Sequence, residues 1–328
     1  MKALVRETYG SPDILELRDI EKPTPKDGEV LIKIHAASVN YADTALLAGK
    51  PFLVRLDEGV QKPKHTILGA DIAGQIEAVG KNVEQFKVGD DVFGDLSSSG
   101  FGGFAEFVCA DETKLVLKPQ NISFEEAAAV PMAALTALKG LKDKGQIQAG
   151  QKVLINGASG GVGTFAVQIA KAFGADVTAV CSTSKVDMVR ALGADHVIDY
   201  KQEDFTQNGA RYDLILASNG YRSILDYKRL LTPNGIYVCS GGSLKQIFQA
   251  MLLGALVTIG GKQKMGNVLS MPNQEALTFM KELIEADKIK PVVDRCYPLR
   301  DGAEAMRYVT GGHAKGKAII TMTEPHHK

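Results

Sequence analysis

Between Val153 and Gly163 the chain reads Val-Leu-Ile-Asn-Gly-Ala-Ser-Gly-Gly-Val-Gly. An apolar run of strand length breaks there into a turn of very small residues. Glycines fall at Gly157, Gly160 and Gly163, with Ala158 one step off the first position of the usual G-x-G-x-x-G pattern. Downstream, Val162, Phe165, Ala166, Ile169, Ala170 and Phe173 keep the spacing of one helical face, and Gly174 supplies a stop. Strand, glycine turn and helix in that order predict a dinucleotide site. Residues without a Cβ let the backbone approach a pyrophosphate, and the helix N-terminus meets it with free N–H groups and a positive dipole end. Glycines that merely pack a helix on a strand are the plainer alternative; the position of the triplet favours the dinucleotide.

The second strand of such a unit ends Val180-Cys181-Ser182-Thr183-Ser184-Lys185. An NAD site needs a carboxylate there, about 20 residues past the fingerprint, to bond the ribose 2′-hydroxyl. No acid occupies this stretch. Ser182, Thr183 and Lys185 instead offer two hydroxyls and a cation to a 2′-phosphate, so NADPH is the expected cofactor. Lys185 also reads as a solvated charge at a helix start.

The 328 residues leave room for two domains. Lysine and arginine number 38, as do aspartate and glutamate, so the totals show no footprint of a nucleic-acid binder. No apolar run reaches the roughly 18 residues of a membrane span. The opening Met-Lys-Ala-Leu-Val-Arg-Glu meets an acid too early for a secretory segment. Cys109, Cys181, Cys239 and Cys296 are far apart, and three of them sit in apolar strand-like runs. Reduced thiols and a cytoplasmic location are therefore expected. The closing Glu-Pro-His-His-Lys at 324–328 reads as a frayed polar tail rather than a metal site.

The elements that must position these residues fall into two styles. Residues 1–125 read as β-rich, with apolar runs at 3–5, 30–34, 72–79 and 104–108 between Gly, Pro and Asp turns. The glycine-rich stretch 97–103 is either a connector or a cover over a cleft. Ser123 and Glu126 stand at capping-box spacing before an Ala-rich run that Pro131 divides into two short helices. Strands expected at 152–156, 176–181, 196–199, 212–217, 236–240 and 255–260 alternate with helices at 162–173, 184–192 and 223–231, which predicts a doubly wound parallel sheet of α/β class. A helix at 274–287 follows, and from Pro291 short strands ending at 318–321 return to the first domain. The expected division is a discontinuous catalytic domain, 1–124 with 291–328, around a nucleotide domain at 125–290. The apolar run 255–260, read as the last strand of an open sheet, calls for a covering partner and so for a homodimer.

This arrangement resembles the medium-chain dehydrogenase/reductase superfamily over essentially the whole chain. The resemblance implies a GroES-like β-rich catalytic domain and a Rossmann nucleotide domain. Gly69-Ala70-Asp71-x-x-Gly74-x-x-x-x-x-Gly80 is similar to the superfamily signature G-H-E-x-x-G-x-x-x-x-x-G with its metal-binding His and Glu replaced. The segment Ser38-Val39-Asn40-Tyr41-Ala42-Asp43 is similar to one that opens with a ligand Cys in zinc alcohol dehydrogenases. Asn40 holds that position, Ala42 stands where the proton-relay hydroxyl belongs, and the four-cysteine zinc lobe is missing. These departures point to the zinc-free quinone oxidoreductase branch, with no metal expected. Residues 127–131, 135–137 and 312–317 are similar to its chloroplast-envelope and reticulon-interacting mitochondrial members.

The resemblance then implies site roles. Ser159, Gly160, Gly161 and Val162 would hold the pyrophosphate, Tyr200 the 2′-phosphate region, and Thr136, Asn219, Ser240 and Gly241 the nicotinamide half. An Asn after an apolar strand is ordinarily a turn former. At the vacated ligand position, the Asn40 amide would bond the nicotinamide ribose or a substrate oxygen. Tyr41 is a candidate proton donor or else a core tyrosine, and Asp43 an orienter of backbone. His35, His65 and His196 read as structural or exposed, and His313 has no assigned role.

Oxidising an alcohol requires removal of its hydroxyl proton, which zinc assists by acidifying the bound oxygen. Reducing a quinone or the C=C bond of an alkenal or enone needs only hydride and a few donors for the oxygen that takes the charge. An NADPH-dependent reductase of such small molecules is the expectation. An alcohol or carbonyl dehydrogenase with an unseen metal, and a nucleotide-binding regulatory protein with little turnover, are the alternatives.

Overall fold

The structure is a computed structural model, described here for residues 1–269, 271–312 and 314–322. His313 and the 324–328 tail lie outside the described residues. In chain order the elements begin with β1 (Lys2–Val5), β2 (Glu16–Asp19), β3 (Glu29–Val39), α1 (Tyr41–Ala48), α2 (Leu53–Glu58), β4 (Asp71–Val79), β5 (Asp91–Asp95), β6 (Phe107–Asp111), β7 (Leu115–Leu117) and α3 (Phe124–Ala128). They continue with α4 (Pro131–Leu138), β8 (Lys152–Asn156), α5 (Gly161–Ala172), β9 (Asp176–Cys181), α6 (Val186–Ala191), β10 (His196–Asp199), β11 (Tyr212–Ala217), α7 (Ile224–Leu230), β12 (Leu231–Cys239), α8 (Leu244–Val257) and β13 (Lys264–Asn267). The last are α9 (Gln274–Glu285), β14 (Val293–Pro298), α10 (Gly302–Thr310) and β15 (Lys317–Thr321).

The chain divides into two compact units. The first takes in Met1–Met132, Met271–Glu285 and Pro291–Lys328, and the second Ala133–Ser270 with Ala286–Lys290. Both α3 and α9 therefore fall in the first unit, where Gln274 Nε2 donates to the Leu115 carbonyl of β7 at 2.8 Å. The sheet of this unit runs β14-β15-β3-β4-β5-β7, with β6 pairing β3. Its core holds Ile32, Ile72, Val92, Phe104 and Ile320, all fully buried. In the second unit six parallel strands run β10-β9-β8-β11-β12-β13, the strand order of dinucleotide-binding sheets. Val153, Leu154 and Ile155 of β8 are wholly buried, as a strand covered on both faces requires. Among the described residues no helix is long and apolar enough to cross a membrane.

The capping box at Ser123 and the break at Pro131 form as the sequence predicts. Three helices of the first unit, α1, α2 and α10, went unseen in a segment read as strands and turns. The strand expected at 255–260 does not exist. Helix α8 runs through Val257 and a turn follows, so the sheet ends instead at β13. The reason is a helical burial stripe, Gln246, Ala250 and Gly254, four residues apart. At Gly254 an added Cβ would stand 2.5 Å from the Met265 carbonyl oxygen, so glycine lets the helix lie directly on β13.

Candidate active site

In the second unit β8 delivers the chain to Gly157 at φ +86°, a backbone that favours glycine, and an added Cβ there would stand 2.6 Å from the Asn219 Cβ. A Cβ at Gly163 would come within 2.1 Å of the Gly157 carbonyl oxygen, so this residue lets α5 start tight against the turn. Gly160 caps α5 with extended backbone, and Ser159, Gly161 and Val162 lie beside it in the turn and first helical residues. The turn is braced from below by a residue that the sequence reading passed over. Asn156 Nδ2 donates to the Tyr227 hydroxyl at 2.7 Å and to the Asn219 carbonyl at 3.2 Å, tying the end of β8 to the end of β11. Strand order reverses between β8 and β11, where open α/β sheets bind ligands. Asn219 follows β11, and Ser240 and Gly241 follow its neighbour β12, with the Ser240 and Ser218 hydroxyls 3.0 Å apart. Thr136 lies on α4, nearly buried.

The end of β9 carries Ser182, then Thr183–Lys185 as one 3-10 turn. Tyr200, half-exposed, follows β10 and donates its backbone N–H to the Cys181 carbonyl at 3.1 Å. One acid does reach this corner, from the neighbouring strand. Asp199 pairs with Cys181 in register, and its Oδ2 accepts the Thr183 hydroxyl at 2.6 Å. That bond holds the Asp199 carboxyl below its ordinary range. The Thr183 hydroxyl is thus already committed as a donor.

The first unit holds the other group of predicted residues. Asn40 follows β3 and caps α1 at only 7% exposure, and Asp43 in the first turn accepts the Asn40 backbone N–H at 2.7 Å. The Asn40 side chain turns inward. Its Nδ2 donates to Asp71 Oδ2 at 2.9 Å, and its Oδ1 accepts from Lys317 Nζ. Asp71 Oδ2 also accepts the Ser38 hydroxyl at 3.0 Å and stands 3.5 Å from Lys317 Nζ, while Oδ1 accepts the Met132 backbone N–H at 3.0 Å. Asp95, paired in register with Asp71, completes the cluster. Burial pushes the Asp43 carboxyl up to about 7 and, with Asp71 adding to it, the Asp95 carboxyl up to about 6. Burial pulls the Lys317 ammonium below the usual lysine value, against the pull of Asp71, Asp43 and Asp95.

Tyr41 is not a strand residue: it opens α1 and is 67% exposed. His35 stacks on Phe124, His65 bonds Glu58, and His196 is exposed. The cysteines are free thiols, Cys181 and Cys239 buried, Cys109 partly so, and Cys296 exposed. Sequence reasoning missed Ser38, Asp71, Asp95 and Lys317 as one site. The available signal was charge inside apolar strands, Asp71 before Ile72 and Lys317 before Ala318.

The chain matches two family models, an alcohol dehydrogenase GroES-like domain over residues 26–120 and a zinc-binding dehydrogenase over residues 192–320. It is 37% identical to a chloroplast envelope quinone oxidoreductase homolog of Arabidopsis thaliana over 98% of both chains. It is 33% identical to a chloroplastic NADPH-dependent alkenal/one oxidoreductase of the same plant, over 98% of this chain and 79% of that one. The solved quinone oxidoreductase of Coxiella burnetii superposes with a TM-score of 0.87 at 28% identity, over 98% and 99% of the two chains.

A zinc ion does not fit the residues at the positions that resemble its ligands. Asn40 presents an amide already bonded at both ends, Ala70 a buried methyl, and Asp71 a carboxylate taken up by Ser38, Asn40, Met132 and Lys317. Zinc takes thiolate, imidazole or free carboxylate, commonly four donors in all. A nicotinamide dinucleotide does fit, since an added Cβ at Gly160, the N-cap of α5, would meet nothing closer than 3.7 Å and the backbone there is open to a ligand. With two domains matched and relatives aligned end to end, the chain belongs to the medium-chain dehydrogenase/reductase superfamily, in its quinone oxidoreductase branch.

Proposed function

We propose that the protein is an NADPH-dependent reductase of quinones or of the activated C=C bond of α,β-unsaturated carbonyls, working without zinc. The observation that carries this reading is an intact dinucleotide turn in a chain whose metal-ligand positions hold an amide, a methyl and a lysine-bound carboxylate. The names of the relatives, for quinone and for alkenal/one reduction, support the substrate class.

Bound at the turn, the reduced cofactor supplies the hydride. Gly157, Ser159, Gly160, Gly161 and Val162 hold its pyrophosphate against the α5 N-terminus, where the dipole favours anions. Asn219, Ser240, Gly241 and the Thr136 hydroxyl would hold its nicotinamide half. Ser182, Lys185 and Tyr200 receive the 2′-phosphate, with Asp199 limiting what Thr183 contributes. The remaining Asn40 N–H donates to the substrate carbonyl oxygen as hydride reaches the β-carbon and charge moves onto that oxygen. A solvent proton at the α-carbon completes the reduction. Tyr41, exposed at the α1 start, is a route for that proton. Buried free thiols support a reducing, cytoplasmic compartment. The outward face of α8 supports a homodimer, since Leu244, Phe248, Met251, Leu252 and Leu256 are all exposed there.

Two linked measurements test the reading. NADPH consumption is expected with quinones, alkenals or cyclic enones and not with simple ketones, and its absence across the whole panel overturns the reading. NADPH is expected to bind at least about tenfold tighter than NADH, one charge-assisted contact contributing ~1.5–3 kcal/mol. Lys185→Ala should abolish that preference; equal affinities in the parent chain contradict it.

A further inference from the structure

Four adjacent strands of the first unit each bring a polar side chain to one place. Lys317 opens β15, Ser38 stands near the end of β3 with Asn40 just past it, Asp71 opens β4 and Asp95 closes β5. The pairings Ala318 with Val39, Ser38 with Asp71, and Asp71 with Asp95 enforce this. The register therefore builds the cluster, although Asn40 and Lys317 are 277 residues apart in sequence.

Lysine has only donors, so the Asn40 group facing Lys317 Nζ is the amide oxygen, and the amide nitrogen faces Asp71. An Asn on a loop can flip between its two ends. This one cannot, because a flip would set its N–H groups against an ammonium and its oxygen against a carboxylate. The Asn40 nitrogen carries two hydrogens and Asp71 takes one; no partner for the other is found among the described residues. An oxygen held by a cation withdraws density from the amide and strengthens the N–H that remains, as bonds in a chain polarise one another. Lys317 itself is 4% exposed, 3.5 Å from Asp71 and in the field of Asp43 and Asp95, so its action on a substrate runs through Asn40.

We propose that Lys317 is the positioning residue of the reductase site, a built-in cation that fixes which end of the Asn40 amide faces Asp71 and makes its second N–H a stronger donor to the substrate oxygen. The proposal rests on the reading in which Asn40 donates to that oxygen. It also gives the mismatch with zinc a physical content: the charge near these positions is an ammonium tethered to β15.

The test is a double-mutant cycle on the full-length chain, with kcat for an enone and the NADPH Kd measured separately. Asn40→Ala should lower kcat by about 100- to 1000-fold, the range for one positioned donor. Lys317→Met should lower kcat by at least about tenfold while the NADPH Kd stays within about twofold. In the Asn40→Ala background, Lys317→Met should cost nothing further, because the lysine then has no amide to hold. Lys317→Gln keeps an N–H donor toward Asn40 and is expected to lie between the parent and Lys317→Met. It decides the matter alone if Lys317→Met does not fold. Losses that multiply across the two sites, or a Lys317→Gln variant with parental kcat beside a damaged Asn40→Ala, overturn the proposal. An Asn40→Ala variant with parental kcat instead overturns the reading of Asn40, and the proposal with it.

Discussion

At the scale of single residues, Asp43 makes the sharpest demand. It is buried, its Oδ1 has no hydrogen-bond partner among the described residues, and burial lifts its carboxyl to about 7 from an ordinary 3.8. The folded chain therefore binds this proton more tightly than the unfolded chain does. The stability from that proton is complete below the unfolded carboxylate value and is lost as pH rises through about 7. Asp95, lifted to about 6, acts in the same direction over a slightly lower window. Asp43→Asn keeps an acceptor for the Asn40 N–H and removes the titration. Its Tm relative to the parent should be higher at about pH 8 than at about pH 5, by about 1–2 °C if ~1 kcal/mol survives relaxation of the site. Thermal melts at the two pH values check this, and an offset that does not change with pH contradicts it.

At the scale of elements, the β8–turn–α5 unit was legible because its strand, glycines and helix follow one another within a few residues, whereas its brace from Asn156 to Tyr227 and Asn219 spans 71 and 63 residues and was not. Gly157 is constrained twice over, left-handed in backbone and closed against Asn219. Gly157→Ala should weaken NADPH binding by at least about tenfold and lower the Tm by a few degrees, as strain at such a residue costs ~1–3 kcal/mol. Fluorescence titration reads the first effect, and an unchanged Kd would show that the turn is not the cofactor's seat. The Asn40 cluster was legible only in part. Asn40 stood out against a known motif, whereas its partners Asp71 and Lys317 lie 31 and 277 residues away and are joined to it by strand register. Helix α8 was misread for a different reason. An apolar run as short as 255–260 fits strand and buried helix equally, and only the stripe at Gln246, Ala250 and Gly254 distinguishes them.

At the scale of the whole molecule, the same helix leaves a row of large apolar side chains facing outward, with Leu252 61% and Leu256 59% exposed. A patch of this kind normally marks an association surface. Light scattering at micromolar concentration should give twice the 35.1 kDa chain mass, and Leu252→Glu with Leu256→Glu should return it to one. A monomeric parent chain contradicts the homodimer. The reaction itself is decided by where the hydride goes. Purified chain is given an alkenal and NADPH deuterated at C4, in each of the two stereochemical forms, and the product is analysed by NMR. One form should place deuterium on the β-carbon of a saturated aldehyde. Deuterium on the carbonyl carbon of an allylic alcohol would make the protein a carbonyl reductase and contradict the assignment.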